Sequence, residues 1–181
     1  MSPAVILAVL LAASPPSLGM VVARARTCAS ALEPDAAELR AVAYLEAEAG
    51  VPLQARGLAL AAACVESGFR DGARGDCDGR APGDHCRAWG WFQFHGWARR
   101  FIDRDDALAS ARLWLDRIRE RLHHPWVDHC RPTSGLDRWR LAHVLAVRAP
   151  GRARCGSVPL AWRVLARWSS ALPEVAGGEP W

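Results

Sequence analysis

Residues 53–68 read Leu-Gln-Ala-Arg-Gly-Leu-Ala-Leu-Ala-Ala-Ala-Cys-Val-Glu-Ser-Gly. Val51-Pro52 restarts the chain just ahead of this stretch, and Ser67-Gly68 breaks it. The run from Leu53 to Glu66 predicts a helix that is apolar nearly all round, and such a helix belongs in a core. The flanking sequence supplies the helices needed to wrap it. Upstream, residues 35–49 place Leu39, Val42 and Leu45 on one face, with Gly50 as the stop. Downstream, residues 105–123 repeat Leu108, Ala111, Leu115, Ile118 and Leu122 at spacings of three and four. Residues 136–147 and 160–172 predict two more helices, the last turning Val164, Leu165 and Trp168 inward. A short helix is expected over 96–102. Residues 68–88, with five Gly, one Pro and four Asp, read as a long loop. No stretch alternates as a strand does, and no internal repeat is visible. The expected fold is all-α and single-domain.

Composition agrees. A chain of 181 residues, 51% hydrophobic with a net charge of +4, has enough apolar surface to fold as one domain and is not disordered. After residue 23 no run of about 18 uncharged apolar residues exists, so a polytopic membrane protein is excluded. All 23 basic residues are Arg, a pattern of GC-rich coding that lowers the meaning of any single Arg. Arg117, Arg119 and Arg121 alternate around their helix and form no stripe for nucleic acid, while the mild positive charge suits an anionic wall polymer.

Residues 4–13 are apolar and are followed by Ser14-Pro15-Pro16-Ser17, the length and stop of a signal-peptide core. Ala23 and Ala25 offer a cleavage site, which divides the chain into a signal peptide (1–25), a domain (26–172) and a loose tail (173–181). Ser17 and Gly19 offer an earlier cut. Export to the periplasm or the extracellular space also fits the six cysteines, all beyond residue 25. Cys77 and Cys86 share one loop and are expected to pair. Cys130 with Cys155 is the next expected pair, and Cys28 with Cys64 follows by elimination.

Glu66 is the residue in which chemistry is most readable. A carboxylate at the end of an apolar helix is expected to be poorly solvated, and it meets the negative end of the helix dipole. Both effects hold a proton on it, as a general acid requires. The segments Cys64-Val65-Glu66-Ser67-Gly68-Phe69 and Ala88-Trp89-Gly90-Trp91-Phe92-Gln93-Phe94, in that order, resemble the catalytic core of the lytic transglycosylase (SLT) family. Glu66-Ser67 matches that family's Glu-Ser pair, and Gly90 to Phe94 matches its Gly-Leu-Met-Gln-Ile-like turn with aromatic replacements. The resemblance spans residues 37–170 in length and helix order. It implies a lysozyme-like, disulfide-containing fold that cleaves peptidoglycan glycan strands as a monomer, with no cofactor. Glu66 would be the single acid/base, forming 1,6-anhydro ends without consuming water. Substrate contact would fall to Ser67, Gly90, Trp91, Gln93, Phe94 and Trp97. Gln93 would hydrogen-bond a sugar N-acetyl group, and Trp91, Phe94 and Trp97 would be apolar walls. Trp114, Trp139, Trp162 and Trp168 read as core.

Two departures from the family pattern matter. The interval from Glu66 to Gln93 is longer than the family's and holds the Cys77–Cys86 loop. The third family motif, Ala-Tyr-Asn-Ala-Gly, has as its best counterpart Ala146-Val147-Arg148-Ala149-Pro150-Gly151, without Tyr or Asn. Support for Glu66 then passes to Tyr44, the only tyrosine, or to His143, or else activity is weak or lost. A lysozyme-like hydrolase would add a second carboxylate from Asp71, Asp76, Asp78, Asp84 or Asp103. A degenerate module would hold glycan without cutting it. No metal is expected: His123, His124 and His129 near Cys130 lack ligand spacing, and Asp76-Cys77-Asp78-Gly79 misplaces the glycine of a calcium loop.

Overall fold

The computed structural model describes residues 18–28, 34–70, 72–75, 87–95, 106–148 and 150–170. Its elements run α1 (Leu18–Cys28), α2 (Ala36–Glu48), α3 (Leu58–Ser67), β1 (Arg74–Gly75), β2 (Ala88–Trp89), β3 (Phe94–His95), α4 (Ala107–Arg119), α5 (Pro125–His129), α6 (Gly135–Val147) and α7 (Leu160–Ser170). Single 3-10 turns occupy Leu53–Ala55 and Pro150–Arg152. The expected helix over 96–102, the 77–86 pair and the 173–181 tail lie outside the described residues.

Helix α3 is the axis. Every residue from Leu58 to Ala63 is buried, and the short alanines let α7, α2, α1 and α4 pack around it. Helix α2 also lies on α4, and α4 on α6, so Leu39, Val42, Leu60, Leu115, Ile118 and Leu141 share one core. Helix starts follow from local caps. Asp35 accepts from Ala37 N–H (3.0 Å), Asp106 from Ala109 N–H (2.8 Å) and Ser134 from Asp137 N–H (3.1 Å). Helix α5, not expected from the sequence, starts at Pro125 with His124 as its cap (3.1 Å to Trp126 N–H).

The fold is mostly helical, in keeping with the all-α expectation, with one addition: β1, β2 and β3 form a small antiparallel sheet in which Arg74 pairs Trp89 and Trp89 pairs Phe94. Strands of two residues are too short to leave an alternating pattern. Helix α3 begins at Leu58, five residues later than expected, because the 3-10 turn ends in an extended Arg56 and Gly57, at φ +93°, is the N-cap of α3. The buried start of α3, whose first N–H groups have no partner within the helix, is then capped from another helix: the buried Glu46 carboxylate accepts from Gly57 N–H (2.5 Å) and Ala59 N–H (2.6 Å). The inner face of α2 is accordingly Leu39, Val42, Ala43 and Glu46, with Leu45 only half-buried.

Helix α1 runs through the expected 25/26 boundary. Val21, Val22 and Ala25 are buried in the core against α2, α3 and α7. A Cβ on Gly57 would lie 2.6 Å from Val21 Cγ1, so the glycine also makes room for this helix. The earlier cut at Ser17/Gly19 leaves that buried face whole. Disulfides Cys28–Cys64 and Cys130–Cys155 form as expected, the first stapling α1 to α3. Two such bonds are the chemistry of an oxidising compartment. Among the described residues no helix is long and apolar enough to cross a membrane.

Candidate functional site

The last turn of α3 carries Val65 and Glu66 out of the core, while Ser67 stays buried. Glu66 is exposed, which corrects the expectation of a carboxylate shielded from water. Helical rotation explains the difference: residues 58–63 are covered on all sides, whereas position 66 emerges where the surrounding helices leave a groove. Two cavities meet there. The larger, about 850 Å³, is walled by Ala62, Val65, His143, Val144 and Arg148, and by the segment 156–161 with Arg163. The smaller, about 250 Å³, is walled by Phe92, Gln93, Phe94, His95, Arg117 and Ala146. Glu66, Trp114 and Val147 line both. Among the described residues Glu66 is the only carboxylate on either wall.

The two sequence motifs therefore come together, though most of their members brace the site instead of lining it. Ser67 is buried, and its Oγ lies 3.1 Å from both Ala63 O and Trp91 O, tying the end of α3 to the turn that follows β2. Trp91, expected as a sugar wall, is 2% exposed and meets Phe69 edge to face at 5.1 Å, so it is core. Gly90, at φ +70°, makes the turn. Gln93 lines the smaller cavity, but its Nε2 donates to Gly90 O (2.9 Å) and Ala73 O (3.4 Å). A Cβ on Gly75 would overlap Gln93 Oε1. With both amide protons committed to backbone, Gln93 ties the turn after β2 to the residue before β1 and has none left for an N-acetyl carbonyl. Phe94 does line the smaller cavity, beside Phe92, which stacks on Trp114 at 5.4 Å. Trp97 and the candidate second carboxylates Asp71, Asp76, Asp78, Asp84 and Asp103 lie outside the described residues.

Of the two candidates to support Glu66, Tyr44 is 60% exposed on α2 and lines neither cavity. His143 lies one helical turn before Val147 on α6, so both present the same face, and both line the larger cavity. It is 2% exposed, stacks edge to face on Trp114 at 4.9 Å, and accepts at Nδ1 from Trp162 Nε1–H at 2.9 Å. Burial lowers its pKa to about 3, so it is neutral. Trp139 and Trp168 are core as expected. Trp114 and Trp162 are core-packed too, yet the first is also a cavity wall and the second fixes His143.

The far wall of the larger cavity was not expected from the sequence. The 155–157 segment is held by the Cys130–Cys155 bond and by Arg140, whose Nη1 donates to Ser157 O (2.5 Å) while its Nη2 grips Asp137 at 2.6 Å. The sequence signals were the expected Cys130–Cys155 pair and Pro159 ahead of α7. The buried carboxylate sought at Glu66 exists at Glu46, where burial, opposed by the Ala59 and Gly57 N–H groups and by Arg56, raises the pKa to about 7. Its position on the inner stripe of α2 was the available clue. Among the described residues no three His, Cys, Asp or Glu side chains gather as a metal site. Neither a family model, nor a curated protein, nor a solved structure matches the chain.

Proposed function

We propose that the protein is an exported, lysozyme-like enzyme that cleaves peptidoglycan glycan strands as a lytic transglycosylase, with Glu66 as its acid/base. The observation that carries this reading is the place of Glu66 at the junction of two cavities, the only acid on their described walls. A glycan laid along the groove would put one sugar in each cavity, with the bond between them at the carboxyl group. Rings filling the groove would also displace the water that reaches Glu66 in the free protein.

The chemistry then needs one group. Protonated Glu66 gives its proton to the glycosidic oxygen as the C1–O bond breaks. The resulting carboxylate takes the proton of the C6 hydroxyl on the same muramic sugar, and O6 closes on C1. Glu66 ends as it began and no water is consumed. A hydrolase would require a second carboxylate placed about 5–9.5 Å from the first. The exposure of Glu66 favours a second reading, a module that binds glycan without cutting it.

Digestion of purified sacculi by the oxidised protein and by Glu66→Gln, with mass analysis of the fragments, separates these. Fragments one water lighter than lysozyme products, lost in Glu66→Gln, are the expected result. Fragments of ordinary mass mean hydrolysis, and co-sedimentation without fragments means binding alone. Full activity in Glu66→Gln overturns the assignment.

A further inference from the structure

We infer that the larger cavity reads a sugar N-acetyl group and that His143, held by Trp162, is the specificity residue that reads it; this rests on the glycan reading above. The inner wall of the cavity is apolar, made by Ala62, Val144 and the Trp114 ring, with one polar group among them, His143. A neutral imidazole carries a single ring proton. Because Nδ1 accepts the Trp162 indole N–H at 2.9 Å, that proton is on Nε2. His143 lines the cavity, and the ring edge turned away from Trp162 is thus a donor that cannot accept.

A single fixed donor in an apolar setting matches an acetamido group, whose carbonyl accepts one hydrogen bond and whose methyl prefers dry surface. It mismatches the free ammonium of a de-N-acetylated sugar, which has only donors and, once Glu66→Gln removes the carboxylate from the same wall, would meet only the guanidinium groups of Arg148 and Arg163 there. Gln93, the residue expected to read this group, has its amide protons on Gly90 O and Ala73 O. Trp162 is a positioning residue: it sets the tautomer and touches the ligand only through His143.

The test is calorimetric titration of the oxidised full chain carrying Glu66→Gln, which blocks turnover, with chitotetraose and with its fully de-N-acetylated counterpart. The acetylated oligomer should bind about tenfold more tightly, the worth of one satisfied hydrogen bond in a desolvated site. His143→Phe should erase that preference, and His143→Gln, which keeps an N–H at similar reach, should restore most of it. Trp162→Phe should fall between them. Equal binding of the two oligomers, or no binding of either, overturns the inference, and so does unchanged selectivity in His143→Phe. The oligomer comparison needs no change at His143, so a variant that fails to fold leaves the test intact. Absence of sacculus cleavage by the unsubstituted protein, with acetyl-selective binding by Glu66→Gln retained, would refute the enzyme reading alone.

Discussion

Two buried titratable groups, Glu46 and His143, push the pH dependence of stability in opposite directions, and separating them is a quantitative test of the core. The Glu46 carboxyl rises from an ordinary 4.5 to about 7 in the folded state. Between those values the native protein holds a proton that the unfolded chain has released, so stability falls as pH rises, by about 1.4 kcal/mol per unit. His143 drops from an ordinary 6.5 to about 3. Between those values the unfolded chain holds the extra proton, so stability rises with pH at the same rate. From pH 4.5 to 6.5 the two slopes cancel, and the wild-type denaturation midpoint should show little contribution from either. Glu46→Gln leaves His143 alone and should lose about 3 kcal/mol on acidification across that window. His143→Gln leaves Glu46 alone and should lose a similar ~3 kcal/mol in the other direction, on going from acid to neutral. Urea unfolding at five pH values, followed by circular dichroism under oxidising conditions, measures all three profiles. Parallel profiles for wild type and both variants would refute the assignment of these two groups as buried and titrating out of register with the unfolded chain.

Two further outcomes follow from α1 and the residue it packs on. A chain beginning at Arg26 lacks the buried Val21, Val22 and Ala25, and should unfold at clearly lower urea than one beginning at Gly19; equal midpoints would mean that α1 is dispensable. Gly57→Ala must hold φ +93° and place a methyl 2.6 Å from Val21 Cγ1, so it should cost about 2–4 kcal/mol in the same assay.

The helices that the sequence revealed are those with local causes. α2, α4 and α6 carry their own caps at Asp35, Asp106 and Ser134, and an apolar period long enough to read. What stayed hidden depended on partners distant in sequence. The start of α3 is set by Glu46, eleven residues before Gly57. The exposure of Glu66 is set by where the surrounding helices leave a groove, and a run of apolar residues carries no record of that. Gln93 and Ser67 were recognised as site residues from their motifs, but whether such a side chain faces ligand or frame depends on the backbone carbonyls it meets. α1 was obscured for a different reason: small apolar residues such as Val21, Ala23 and Ala25 suit a leader peptide and a tightly packed helix equally well. The Cys28–Cys64 and Cys130–Cys155 pairs were readable because few combinations remained once a loop pair was set aside.

The supports of α3 have a consequence for how the groove works. Glu46 grips one end, Ser67 ties the other to Trp91, and the Cys64 bond welds its flank to α1. A beam clamped in this way does not yield when something leans on its tip. On the proposed reading, the Glu66 side of the groove would act as a stiff jaw that grips a glycan by fit rather than by closing. On the same reading, retuning it for a different polymer would mean recutting the opposite lip, around Arg148 and residues 156–159, while Glu66 stays in register.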